Sequence, residues 1–303
     1  MRKIRQAFVA VFCAFALVWT PQARPAQAGP DEGRPARHFL WKVSSPTAEV
    51  YLYGSIHLGR PSMYPLAPVI ESAFEAADVL VVEMNVENVD PAYAQALMVR
   101  KGTYQNGASL FDKLPPVTTQ QLRKYLTGRG ISPQQFAVYK PWLAALTLTM
   151  LQIKELGFDE EYGVDRYFLR KAKGSKTIEE LESLEEQIRF LDGMEHQALF
   201  LHYTLESMEE TERMLDEFIE AWKEGDTAVM EKIAVTDILQ EDPRMKPVFE
   251  TLLFERNVRM TTHIEDFLNS NGTYFVVVGA AHLITDQGIV ALLREHGYQV
   301  EQL

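Results

Sequence analysis

The stretches VYLYGSIHL (residues 50–58) and YFVVVGAAHL (274–283) share one plan: a β-branched and aromatic run, a glycine, two small or apolar residues and a histidine. Short apolar runs of this kind, bounded by glycine, read as buried strands. A glycine at the strand end permits the tight turn that aims an imidazole back over the sheet, so His57 and His282 become candidate site residues. Each copy then continues alike. HLGRPSMYPLAP leads to VIESAFEAA (69–77), with helical apolar spacing, and to DVLVVEMNV (78–86), a buried strand; GAAHL leads to QGIVALLREHG (287–297) and a final strand YQVEQL (298–303). Strand, crossover helix and strand make a parallel, right-handed β-α-β unit. FLWKV (39–43) and EVYLYGS (49–55) flank SSPTA and are expected to form an antiparallel pair. The fold class is therefore α/β (α+β), with β-α-β units at both ends of the chain forming the sheet core and a large, mostly helical middle region.

That middle region carries its own signals. Asp90-Pro91 is an N-cap followed by proline at N1, and KPWLAALTLTMLQIKELG (140–157) is apolar on nearly every face until Gly157 stops it, as a buried helix should be. KTIEELE (176–182) reads as one more strand, and Ser183-Leu184-Glu185-Glu186 as a capping box starting the next helix. Glu182 thus stands at a strand end.

Ligands of open α/β sheets gather beyond the carboxyl ends of the strands, where His57, Glu83, Glu182 and His282 all fall. Glu83 ends the run VLVVE, a costly place for an ionised carboxylate unless it is paired, hydrogen-bonded or metal-bound. Two imidazoles and a carboxylate form a recurrent divalent-metal set. The plain alternative is that the histidines are structural. His196 and His202 are six apart and cannot form an H-E-x-x-H pair. Trp142 and Trp222 fit apolar helical patterns as core residues, and no serine, threonine or lysine has a nucleophile-elbow or phosphate-loop context.

At the N-terminus, Arg2, Lys3 and Arg5 precede an apolar run from Ala7 to Trp19 and an Ala26-Gln27-Ala28 cleavage signal, so residues 1–28 read as a secretory signal peptide. Residues 29–38 read as a disordered leader, and 39–303 as one domain with a helical insertion at about 90–268. The expected location is periplasmic or secreted, without membrane insertion after cleavage. Cys13, the only cysteine, lies in the signal segment, so the mature chain depends on its core and not on disulfides. Removing four basic residues with that segment leaves 26 basic and 42 acidic residues, a net charge of −16. That charge argues against nucleic acid and anionic membrane surfaces as partners, since both require a basic footprint.

In order along the chain, LWKVSS (40–45), VYLYGSIHLG (50–59), YPLAPVIESAFEAADVLVVEMNV (64–86), KPWLAAL (140–146), GVDRYF (163–168), LESLEEQIRFL (181–191), ERNVRM (255–260) and FVVVGAAHL with GIVALLREHGYQV (275–300) resemble the TraB/GumN family, whose eukaryotic relatives include the Tiki metalloproteases. The resemblance implies the fold shared with erythromycin esterases and ChaN-like haem-binding proteins, and a site centred on His57, Glu83 and His282 holding a divalent ion (Mn, Co or Zn). It implies peptide hydrolysis, with a peptide or protein substrate. Glu182 is then a general base or fourth ligand. Arg256-Asn257 matches the family's Arg-Asn pair, Arg256 to bind a carboxylate or oxyanion and Asn257 to orient substrate, or both to anchor a helix. Asp165 in GVD is a site acid or, more plainly, a helix cap. After the second histidine such proteins commonly carry a nearby glycine, where HLITDQG has Thr285. Two other readings stand beside the metallopeptidase: a metal-free ester hydrolase in which His57 and a glutamate activate water, and a haem- or signal-binding protein.

Overall fold

Val50, Leu52, Val276 and Val278 are fully buried, because the strands that carry them lie in the middle of one sheet covered on both faces. The computed structural model describes residues 37–303; the signal-peptide segment and residues 29–36 of the expected leader lie outside the described residues. Residues 37 and 38, also assigned to the leader, are placed: the His38 amide donates to Leu303 O at 2.6 Å.

The six strands are β1 (Leu40–Ser44), β2 (Ala48–Ser55), β3 (Val79–Val82), β4 (Thr177–Glu180), β5 (Gly272–Gly279) and β6 (Val300–Gln302), ordered β4-β3-β5-β2-β1-β6. β1 and β2 form the expected antiparallel pair, their turn tightened by Ser45 Oγ accepting from the Ala48 amide at 3.0 Å. Both β-α-β units share one sheet, but they interleave: β5 lies between β2 and β3, while β6 crosses to the far edge and pairs antiparallel with β1. Since β1 runs against β2, β6 is parallel to β2 and β5, as a crossover requires.

Register places the site. β2 and β5 are parallel over their full lengths, from Ala48 opposite Gly272 to Ser55 opposite Gly279, so the segments bearing His57 and His282 leave the sheet side by side. On the other side of β5, Val82 lies opposite Val277 and Glu180. The ladder runs on past the strand ends, with Glu182 N–H donating to Glu83 O at 2.8 Å.

Helices cover the sheet. The apolar helix Pro141–Glu155 ends at Gly157, whose φ of 80° is the left-handed conformation that favours glycine. Ser183 and Glu186 form the expected capping box of helix Leu184–Gly193, and Asp90 caps helix Pro91–Gly102 by accepting from Ala92 N–H. Trp142 and Trp222 are core residues, and Trp222 Nε1 donates to Gly54 O at 2.6 Å. A π-helical turn over Glu250–Phe254 feeds directly into helix Glu255–Leu268. Such turns shift the phase of the residues that follow, here Arg256 and Asn257. No described helix is long and apolar enough to cross a membrane.

Candidate functional site

Where β2, β3 and β5 end, the structure brings His57, Glu83, Glu182, Arg256, Asn257 and His282 into one linked cluster. Gly279 sits among them: a Cβ there would lie 3.2 Å from Glu83 Oε1, 3.5 Å from His57 Nε2 and 3.5 Å from His282 Cδ2. His282 Nε2 is 3.6 Å from Glu83 Oε1. A methyl group there would be in van der Waals contact with both imidazoles and would press Glu83 back by a few tenths of an ångström, so glycine keeps the space between the three side chains open.

Each imidazole is fixed from behind. His57 Nδ1 meets Asp165 Oδ2 at 2.5 Å, and Ser55 Oγ donates to Asp165 Oδ1 at 3.0 Å. His282 Nδ1 meets Asn257 Oδ1 at 2.6 Å, and Asn257 Nδ2 donates to Gln287 O at 2.8 Å, so the amide presents oxygen to the ring. With an acceptor at Nδ1, each neutral ring carries its proton there and leaves Nε2 as a bare lone pair. Both Nε2 atoms are buried and without a hydrogen-bond partner.

The acids are tied to one guanidinium. Arg256, with no exposed surface, donates Nε to Glu182 Oε1 at 2.8 Å, Nη2 to Glu182 Oε2 at 2.7 Å and to Glu83 Oε2 at 2.8 Å, and Nη1 to Leu252 O at 2.9 Å. Glu83 Oε1 accepts from Gly279 N–H at 2.5 Å, and Gln187 Nε2 donates to Glu182 Oε2 at 3.2 Å. Two buried carboxylates, Glu83 and Glu182, therefore share a single buried arginine, and a third, Asp165, is paired with His57, so the cluster holds more acids than permanent cations. Excess charge of one sign in a low-dielectric site must be met by protons or by a cation. Burial opposes a proton on His57, but the Asp165 carboxylate, with Glu83 behind it, outweighs burial and leaves the pKa above the ordinary histidine value. His282 is pushed well below that value by burial, by Arg256 and by His57. Burial raises the Glu83 carboxyl against the opposing pull of Arg256 and His57.

The space between is small. His57, Glu83, Met84, Val86, Asp165, Arg166 and Gln187 line a cleft of about 30 Å³, enough for an ion or a water. Among the described residues no group of three or more His, Cys, Asp or Glu side chains is placed so that it could hold a metal ion as it stands. The donor set still suits a divalent cation: two bare imidazole nitrogens beside a carboxylate, each ring backed by an acceptor, in a cluster with excess negative charge.

Other sequence expectations resolve differently. Asp165 does not cap its helix: Gly163 holds the N-cap position of helix Val164–Ala172, and the Asp165 side chain turns to His57 and Ser55. Both Glu182 oxygens are engaged. Arg256 and Asn257 are buried on partners within the cluster. His202 lies elsewhere, its Nδ1 3.0 Å from Gln121 Oε1, and His196 precedes helix Gln197–Ser207. Ser55 and Gln187 escaped sequence reading; their signal is only their position beside a strand end and a capping box.

A sequence model of the TraB/PrgY/gumN family matches residues 39–302. Uncharacterized protein YbaP of Escherichia coli (strain K12) is 27% identical, covering 85% of this chain and 94% of its own length. A Metalloprotease TIKI homolog of Nematostella vectensis is 23% identical over 89% of this chain and 69% of its own, and Metalloprotease TIKI1 of Danio rerio is 24% identical over 94% and 69%. No solved structure matches the chain.

Proposed function

This chain belongs to the TraB/PrgY/gumN family, and from that premise we propose that it is an exported, divalent-metal-dependent hydrolase that cuts peptide bonds. The observation that carries the reading is the pair of buried, unpartnered Nε2 atoms of His57 and His282 facing Glu83 across Gly279. His57, His282 and Glu83 would hold the ion. When bound, it would supply Lewis acidity toward a carbonyl and a water of lowered pKa.

The chain's own groups do the rest. Asp165 and Asn257 keep the Nδ1 protons in place, so both Nε2 lone pairs stay available and both rings stay oriented. Arg256 holds Glu83 and Glu182 together without neutralising the whole cluster. Glu182, bidentate on Arg256, is assigned the positioning of that guanidinium, since both of its oxygens already accept from it. Met84 and Val86 give the cleft an apolar wall. Names of relatives 23–24% identical support hydrolysis and metal chemistry; the residues 1–28 support export to the periplasm or medium.

One observation favours a second reading. The His57–Asp165 pair, with His57 raised above its ordinary pKa, is the arrangement of a general base backed by an acid, and would serve a metal-free ester hydrolase. The test is calorimetric titration of the apo protein with Mn²⁺, Co²⁺ and Zn²⁺, paired with a peptide-library digest before and after chelation. The proposal expects binding, and cleavage that chelation abolishes; unchanged cleavage in chelator with no binding would move the assignment to the metal-free reading.

A further inference from the structure

Arg166 is the one arginine or lysine lining the cleft among the described residues, sharing its wall with His57, Glu83 and Asp165; its side chain is 13% exposed. It lies in the first turn of helix Val164–Ala172, beside the partly positive helix N-terminus, where a cation is locally disfavoured. A residue that breaks a local rule at a site is expected to serve the site. Nη1 donates to Glu87 Oε1 at 2.6 Å; Glu87 is 37% exposed and also lies 4.0 Å from Arg170. Nε and Nη2 of Arg166 have no hydrogen-bond partner among the described residues, so the guanidinium retains donors. Arg256, the other arginine of the cluster, is fully buried and engaged by Glu83 and Glu182.

We propose that Arg166 binds a carboxylate of the substrate adjacent to the bond that is cut, with Glu87 holding the guanidinium until substrate arrives; this deepens, and rests on, the hydrolase reading above. The acidic cluster repels an anion everywhere else along the cleft, so the contact would also fix substrate direction: carboxylate at Arg166, scissile carbonyl at His57. Planar N–H pairs of arginine match a carboxylate, and charge-assisted bonds of this kind are the strong ones. The carboxylate could belong to a peptide C-terminus or to an aspartyl or glutamyl side chain.

Two probe pairs separate those sources: N-acetyl-alanyl-alanine against its C-terminal amide, and N-acetyl-aspartyl-alaninamide against the asparaginyl equivalent. Equilibrium binding to the metal-loaded protein should favour the acid of one pair by about 10- to 100-fold, and that pair identifies the source. Arg166→Gln should bring the ratio to about one, and Arg166→Lys should restore part of it. Glu87→Gln, which removes a competing carboxylate at an exposed position, should raise the ratio and keeps the test decisive if Arg166→Gln fails to fold. Equal binding of acid and amide by the wild type, or a preference that survives in Arg166→Gln, would overturn the inference. Binding is read without turnover, so acid preference without any peptide cleavage would defeat the hydrolase reading alone.

Discussion

Arg256 grips Glu182 with two hydrogen bonds, Nε to Oε1 at 2.8 Å and Nη2 to Oε2 at 2.7 Å, and the same Nη2 reaches Glu83 Oε2 at 2.8 Å. One guanidinium thus orders two carboxylates that come from different strand ends. Its replacement by methionine preserves much of the volume but leaves both acids buried without their counter-charge. Removing one partner of a buried pair costs about 3–5 kcal/mol. Urea unfolding of Arg256→Met should show a loss of that size, and a change under 1 kcal/mol would contradict the account.

Asp165 and Asn257 should affect metal affinity more than folding. Losing the acceptor behind a ligating histidine typically lowers affinity by roughly 10- to 100-fold. Asp165→Asn and Asn257→Ala are each expected to bind Mn²⁺ or Zn²⁺ that much more weakly while keeping a wild-type circular dichroism spectrum. Wild-type affinity in both would mean that the rings are not oriented by these contacts.

Thr285 has a φ of 76°, a left-handed conformation that a β-branched residue adopts at a cost, offset in part by Thr285 Oγ1 accepting from Gln287 N–H at 3.2 Å. This is the position where the family pattern led us to expect glycine. Thr285→Gly should raise stability by about 0.5–1 kcal/mol after the added freedom of the unfolded chain is subtracted. Denaturant midpoints measure it; destabilisation would show that the threonine side chain is needed there.

Glu160 gives a pH dependence with a definite sign. Burial pushes its pKa up to about 7, against Lys154 and Arg166. The folded state keeps this proton after the unfolded chain has released its own near pH 4.5, so the residue's contribution to stability falls from about pH 4.5 to 7 and is level above that. Glu160→Gln should match the wild type below that window and exceed it at pH 8 by about 1–2 kcal/mol, once solvent screening is allowed for. A difference independent of pH would rule out this titration as the cause.

The paired strand-glycine-histidine segments were legible because alternation and glycine act locally, and their meeting followed from one long-range fact, the full-length parallel register of β2 and β5. Glu83 was legible as an acid at the end of a buried run. The interleaving of β5 between β2 and β3 was not, since nothing local in a strand names its neighbour. Nor was the pairing of Asp165 with His57, 108 positions apart; a Gly-Val-Asp opening a helix carries the same signal whether the acid caps or turns inward. Arg256 was visible as a family arginine, but its work of binding Glu83 and Glu182 depends on the helix phase that follows the π-helical turn at Glu250–Phe254.

The central claim is that His57 and His282 offer their Nε2 atoms to one ion. Calorimetric titration of Mn²⁺, Co²⁺ and Zn²⁺ into chelator-stripped wild-type, His57→Ala and His282→Ala proteins tests it most directly. The account predicts one divalent ion per wild-type chain and a loss of at least about 100-fold in affinity in each variant, consistent with removal of a first ligand where even a backing contact is worth roughly 10- to 100-fold. No binding by the folded wild-type protein at millimolar metal, or the same affinity in both variants, would contradict it.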